Sequence, residues 1–391
     1  LLGSVGLAAL SYRFLENPVR HNEWLGRLPA RSLAFGAGAV VLGLLVGTTM
    51  VHFPRSFASD AGDAAAPTLP GQSQAADTTL ANQAPTTTLL GATTTVPVST
   101  SSVAPKIEVT PIATLLAAQR AALDEASNIT KVPKNATPPV ASAKGDKAGV
   151  YRDGCMLKEG TADLKSCVYG DPAGTVKVAL FGDSHAAQWF PALEALALDR
   201  HWRLEVYVKS GCPSADVRIK KSYLDPECVQ WRTNVTARMA ELQPDLLVIS
   251  STEYDPGGSD VGKDSDSVWR RGLTATLTAM RPSAKQLLII GDTPLPAHEV
   301  PNCLTAFPTN VHYCGAVKAK AVNKSRIALE QELAAQFNGH HVSTTDWMCG
   351  TSFCPVIEGN IVMWRDNNHV SATMSKFLTP FLAATIVPLL S

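Results

Sequence analysis

The chain has 391 residues, 45% of them apolar, with 34 Lys and Arg against 34 Asp and Glu. A formal net charge of zero with no long basic run argues against a nucleic-acid partner. Nothing resembles a Gly-rich phosphate loop, so no soluble nucleotide cofactor is expected for this stretch of protein.

Residues 1–10 are an apolar run without an initiating Met. They are expected to be the end of a preceding apolar segment, and the chain to be the C-terminal portion of a longer protein. Residues 32–51 carry no charge over 20 positions. At about 1.5 Å per residue they reach across a hydrocarbon core of roughly 30 Å, and they predict a transmembrane helix. Gly36, Gly38, Gly43 and Gly47 within it suit lipid, where small residues let helices approach closely. Arg13, Arg20, Arg27 and Arg31 precede this helix, and only Arg55 closely follows it. The positive-inside rule therefore puts residues 1–31 in the cytoplasm and everything after the helix outside. Residues 52–110 are rich in Thr, Ala and Pro and offer too little apolar surface to fold, which predicts a disordered linker. As a flexible coil of about 50 residues it would span roughly 40 Å. A helical extension at 111–148 comes next, its helix expected at 111–128 on the spacing of Leu115, Leu116, Ala118, Ala121 and Leu123.

From residue 149 to 391 the pattern is that of one domain. Strand-like runs at 176–181, 204–208, 246–249, 287–290 and 341–345 alternate with helical ones at 186–198, 227–242, 267–280 and 316–337. This alternation predicts an α/β sandwich on a parallel sheet, with ligands bound beyond the carboxyl ends of the strands. Ser184, Gly211, Ser251 and Asp292 all follow strands and so share one expected crevice.

Two segments carry the chemistry. The first run ends in Gly182-Asp183-Ser184-His185, which reads as strand, tight turn, helix. Such a turn sets the Ser184 hydroxyl beside unpaired N–H groups at a helix start, the environment that receives an oxygen becoming negative. The second is Arg365-Asp366-Asn367-Asn368-His369. A serine hydroxyl needs a base to take its proton, and that imidazole needs a carboxylate to fix its tautomer. One turn between Asp366 and His369 can place the carboxylate on Nδ1 and leave Nε2 for Ser184. The expected triad is Ser184, His369 and Asp366.

At these residues the chain resembles the SGNH (GDSL-like) hydrolases, with Gly-Asp-Ser after the first strand and Asp-x-x-His near the C-terminus. The resemblance implies a three-layer sandwich with a flavodoxin-like parallel sheet. It also implies that Ser184 is nucleophile, His369 base and Asp366 its orienting partner, with the Ser184 and Gly211 amides as oxyanion donors. The family's oxyanion asparagine is missing, since Ser251, Thr252 and Glu253 follow the third strand. A hydroxyl or backbone group would have to substitute, and Ser251, Thr252 and Asp292 are the possible substrate-binding residues. Near the start, Ser11-Tyr12-Arg13-Phe14-Leu15-Glu16-Asn17-Pro18-Val19-Arg20 resembles the closing cytoplasmic motif of acyltransferase-3 membrane proteins. The order of the pieces is similar to acyltransferase-3/SGNH fusions that O-acetylate bacterial surface glycans. What this implies is an extracytoplasmic O-acyltransferase held at the cell membrane, with acetyl as the expected acyl group, a cell-surface glycan as acceptor, and acetyl-CoA as the donor used by the membrane domain. An extracytoplasmic carbohydrate esterase and a non-catalytic glycan-binding module are the alternatives.

The eight cysteines all follow the predicted membrane helix. Of 105 possible pairings, the one that closes only short loops joins Cys155 to Cys167, Cys212 to Cys228, Cys303 to Cys314, and Cys349 to Cys354. An oxidising compartment is then implied. No Cys-x-x-Cys pair is present, so no metal site is expected. His185 is expected to serve the helix start or the packing, Asp183 to bond local backbone, and Trp189, Trp231 and Trp269 to lie in the core, with Trp364 left as the one Trp placed to stack on a sugar.

Overall fold

A computed structural model of the chain describes residues 62–70, 106–217, 225–252 and 265–391. The predicted membrane helix at 32–51, the segment before it and most of the predicted linker lie outside the described residues. Among the described residues no helix is long and apolar enough to cross a membrane.

The strands are β1 (Met156–Leu157), β2 (Val168–Gly170), β3 (Lys177–Gly182), β4 (Arg203–Lys209), β5 (Leu246–Ser250), β6 (Gln286–Ile290), β7 (Ala316–Val317), β8 (His340–Val342), β9 (Phe353–Cys354), β10 (Ile357–Glu358) and β11 (Ile361–Val362). The main sheet runs β4-β3-β5-β6-β8, all parallel. Counted along the chain, these five strands have the order 2-1-3-4-5 of a flavodoxin-like sheet. The outer edge of β4 is shared by β1, parallel to its end, and β2, antiparallel to its start.

Both faces of the sheet are buried, so its central strands are mostly apolar, and successive side chains enter opposite cores. Val178, Leu180, Leu204, Val206, Leu246, Val248, Leu288 and Ile290 face one core. Ala179, Phe181, Tyr207, Leu247, Ile249, Leu287 and Ile289 face the other. The helices are α1 (Ile112–Ala126), α2 (Ser184–Ala187), α3 (Phe190–Arg200), α4 (Asp225–Leu242), α5 (Ser265–Met280), α6 (Val300–Ala306), α7 (Lys324–Gln336), α8 (Ala372–Phe377) and α9 (Thr379–Ile386). The first core is covered by α1, α3, α8 and α9, the second by α4, α5 and α7, which completes the three layers.

Several expectations change in detail. The run 316–337 is broken because Asn323 caps α7, its side chain accepting from the Arg326 N–H at 3.2 Å. The strand predicted at 341–345 ends at Val342, and Thr345–Met348 forms a helical turn. Within the predicted linker, residues 62–70 are seated on the domain. Asn135 pairs with Ala64 through both amide groups, at 2.8 and 2.7 Å, and Leu69 is buried in the first core. Lys134 N–H to Gly62 O at 3.3 Å and Thr110 Oγ1 to Pro70 O at 3.1 Å add to this hold on a stretch whose composition otherwise reads as coil.

The helical extension packs into the first core through Leu115 and Leu123, and also buries Gln119 and Ala126. Gln119 is buried and donates from Nε2 to Trp347 O and to Glu358 Oε2, both at 2.9 Å. Burial pushes the Glu358 carboxyl from its usual 4.5 up to about 8, against the Gln119 hydrogen bond that lowers it. Folded protein thus keeps this proton in a pH range where unfolded protein has lost it, and stability falls as pH rises from about 4.5 to about 8. Thermal melts across that window should show a loss on the order of 5 kcal/mol that Glu358→Gln removes; an equal decline in the variant would refute this assignment.

The four expected disulfides are present, with Cα separations of 5.9 Å for Cys155–Cys167, 5.3 Å for Cys212–Cys228, 5.7 Å for Cys303–Cys314 and 4.0 Å for Cys349–Cys354. The second ties the loop after β4 to α4, and so braces Gly211.

Candidate active site

The site begins where β3 must turn sharply into α2. Gly182 has φ +150°, and a Cβ there would overlap the Ser250 carbonyl oxygen on β5. Only glycine fits between two strands this close. Asp183 caps α2 by accepting from the His185 N–H at 2.8 Å, and reaches across to the Thr252 N–H at 3.1 and 3.2 Å. This buried carboxylate therefore clamps the Ser184 turn to the end of β5, a tie longer than the local one expected. Burial pushes its acid up to about 6, although His185 and the N–H donors favour the charged form. Ser184, the first residue of α2, stays partly accessible.

The second segment is a tight turn closed by a bridge between Trp364 and Val370, with Arg365 N–H bonded to His369 O at 3.0 Å. Inside the turn the Asp366 carboxylate accepts from the N–H of Asn368 at 3.0 Å and of His369 at 2.7 Å. Its Oδ2 lies 2.8 Å from His369 Nδ1 and accepts from Arg365 at 3.0 Å. Burial alone would raise Asp366, but His369, the Asn368 N–H and Arg365 outweigh it and hold the carboxyl well below the usual range. The His369 ring is pushed below 6.5, first by burial, with the charges of His185 and Arg365 adding to it against the pull of Asp366. His369 Nε2 is buried and has no hydrogen-bond partner.

The two segments meet. Val370, next to His369, donates its N–H to Gln188 Oε1 at 2.9 Å, one turn along from Ser184. The rings of His185 and His369 lie 4.7 Å apart. The imidazole near the tail of the chain is thus docked along the first turn of the helix that Ser184 opens.

The remaining predicted residues fall differently. Gly211 sits at φ +71° just beyond β4, at the same carboxyl edge of the sheet as Ser184. Ser251 is buried, its Oγ accepting from Ser214 N and donating to Ser214 Oγ, both at 2.8 Å. Thr252 has its N–H committed to Asp183. Asp292 has a side chain only 2% exposed, with Oδ1 2.5 Å from His185 Nδ1 and accepting from Thr293 N–H at 2.7 Å. Its carboxylate is turned inward to an imidazole, not outward to a sugar. Trp364 is buried with the core.

Three features had little or no sequence signal. His185 is fully buried against Asp292, a partner 107 positions away. Arg365 adjoins Asp366 in sequence, but nothing in the sequence assigned it the ion pair with that carboxylate. Tyr151, whose hydroxyl accepts from Arg365 at 3.2 Å, is 214 positions distant and outside any motif.

Residues 154–384, more than half of the chain, match the family described as the SGNH domain fused to AT3 domains. The chain belongs to this family. The family match starts after α1, so the helical extension lies outside it. No curated protein matches the chain in sequence. Among solved structures, it is similar to the periplasmic domain of a lipopolysaccharide acetyltransferase from Salmonella ser. Paratyphi A, at 15% identity over 64% of this chain and 97% of that one, with a TM-score of 0.48. It is also similar to an acetyl-xylooligosaccharide esterase from Geobacillus Stearmophilus, at 14% identity over 55% of this chain and 95% of that one, with a TM-score of 0.33.

Proposed function

We propose that this SGNH domain is an extracytoplasmic O-acyltransferase that places an acyl group, acetyl by preference, on a hydroxyl of a cell-surface glycan. Ser184 is the nucleophile, His369 the general base and Asp366 the group that orients it. Ser184 Oγ attacks the donor carbonyl as its proton passes to His369 Nε2, and the oxyanion is received by the Ser184 and Gly211 amides. His369 then returns the proton to the departing group, leaving an ester on Ser184. A glycan hydroxyl enters next, gives its proton to His369 Nε2, and attacks that ester; His369 passes the proton to Ser184 Oγ as it leaves, which restores the serine and the neutral base.

The observation that carries this reading is the state of His369. Its Nδ1 is held by Asp366, and its Nε2 is buried without a partner, alongside the turn that begins with Ser184. Membership of a family fused to AT3 domains supports an acyl supply from a membrane domain in the same protein. That domain would draw on cytoplasmic acyl-CoA, and the SGNH domain itself needs no cofactor. Four disulfides suit an oxidising compartment outside the membrane.

Transfer and hydrolysis differ only in which hydroxyl deacylates Ser184. Purified domain given an activated acetyl ester should acetylate an added oligosaccharide at the expense of acetate release. Release that no envelope glycan diverts would make the domain an esterase.

A further inference from the structure

The acyl-transfer chemistry leaves the buried imidazole of His185 unused. His185 immediately follows the serine, yet its side chain is 0% exposed, with Nδ1 2.5 Å from Asp292 Oδ1. Asp292 is held in turn: Oδ1 accepts from the Thr293 N–H at 2.7 Å, and its backbone oxygen accepts from Thr344 Oγ1 at 2.7 Å. His185 Nε2 is buried without a hydrogen-bond partner, as is Nε2 of His369, and the two rings are 4.7 Å apart. The site therefore holds two imidazole–carboxylate pairs side by side, one on the Ser184 turn and one on the Asp366 turn.

We infer that His185, paired with Asp292, is a cationic positioning residue behind His369 that keeps the His369 ring neutral and open to the Ser184 proton. This rests on the proposed roles of Ser184 and His369. The charge balance of the site supports a cation at His185. Facing it are the carboxylates of Asp292, Asp183 and Asp366, from the loop after β6, the turn before α2 and the Asp366 turn. The other groups are the Arg365 guanidinium, which is bonded to Asp366, and the Tyr151 hydroxyl, which accepts from Arg365. A buried carboxylate with an imidazole in hydrogen-bond contact favours the protonated ring. Burial pushes the His185 ring down, and the three carboxylates outweigh it and raise it. A second proton on His369 would then place two cationic rings 4.7 Å apart in a buried site, which the like-charge repulsion disfavours. The consequence is a base that stays unprotonated into mildly acidic conditions.

The test reads the His369 ring directly and needs no catalytic assay. In wild-type protein, a pH titration followed by imidazole NMR resonances should show His369 titrating below His185. In His185→Gln the His369 midpoint should rise by about one pH unit. Asp292→Asn, which keeps the ring but removes its counter-charge, should move it the same way. An unmoved His369 midpoint in folded variants would overturn the inference, and so would a wild-type His185 that is neutral where His369 is already neutral. Should both variants fail to fold, the wild-type order of titration alone decides. Failure of the catalytic reading would appear elsewhere, as activity that survives loss of the Ser184 hydroxyl.

Discussion

Ser184→Ala should abolish acyl transfer and ester hydrolysis, with kcat down by about 10⁴-fold or more and the melting temperature unchanged. The fold should be indifferent because the turn is held by other groups: Gly182 permits the close approach to β5, and Asp183 ties His185 and Thr252. Ser184 itself is partly accessible, and losing its hydroxyl opens no cavity in either core. The kinetic loss is large because the hydroxyl is the atom that becomes the ester. Substrate binding and oxyanion donors would remain, but they have nothing to act on. Surface glycans from cells carrying the variant should lose the same acyl group. A variant that still acylates would make the domain a glycan-binding module that keeps the fold.

Asp366→Asn should cost about 10⁴-fold in kcat while leaving substrate binding nearly intact. An amide in this position can donate to Nδ1, which selects the tautomer with its proton on Nε2, the wrong side for a base facing Ser184. The change also puts an NH2 where Arg365 donates to Oδ2, so some stability should be lost with that ion pair, while Oδ1 still accepts from the Asn368 and His369 N–H groups. Its pH signature separates it from a merely structural lesion. Because burial, His185 and Arg365 together hold the His369 ring low, the acid limb of the wild-type rate profile should lie below pH 6.5. Asp366 pulls that ring upward, so removing its charge should carry the residual limb to still lower pH. A limb that moves upward would contradict the assignment of His369 as the base.

The sheet was legible because β3, β5 and β6 are mostly apolar runs, as buried parallel strands tend to be, with a helix after each; β4 carries Glu205 and Lys209 within its run, and β8 opens on two histidines. The short elements were not. β1 and β2 are two and three residues long, and β10 and β11 two each, so none sustains a period. In the site, the pairing of Asp366 with His369 was readable from spacing, since a turn of three residues is enough to join a carboxylate to an imidazole. Asp292 was misplaced for the opposite reason: a carboxylate after a strand reads as a crevice residue, and nothing local tells that a histidine 107 positions earlier occupies it. The seat of residues 62–70 was hidden in the same way, because it depends on Asn135, 71 positions from Ala64.

The central claim is that a hydroxyl in mid-chain and an imidazole near the tail act on one carbonyl. It is tested most directly by brief exposure of the purified domain to an activated acetyl ester, acid quench and peptide mass analysis. The account predicts a single acetyl group on the peptide containing Ser184, formed in wild type, slowed severely in His369→Ala and absent in Ser184→Ala. Acetyl carried by any other residue, or formed on Ser184 at an undiminished rate without His369, would contradict it.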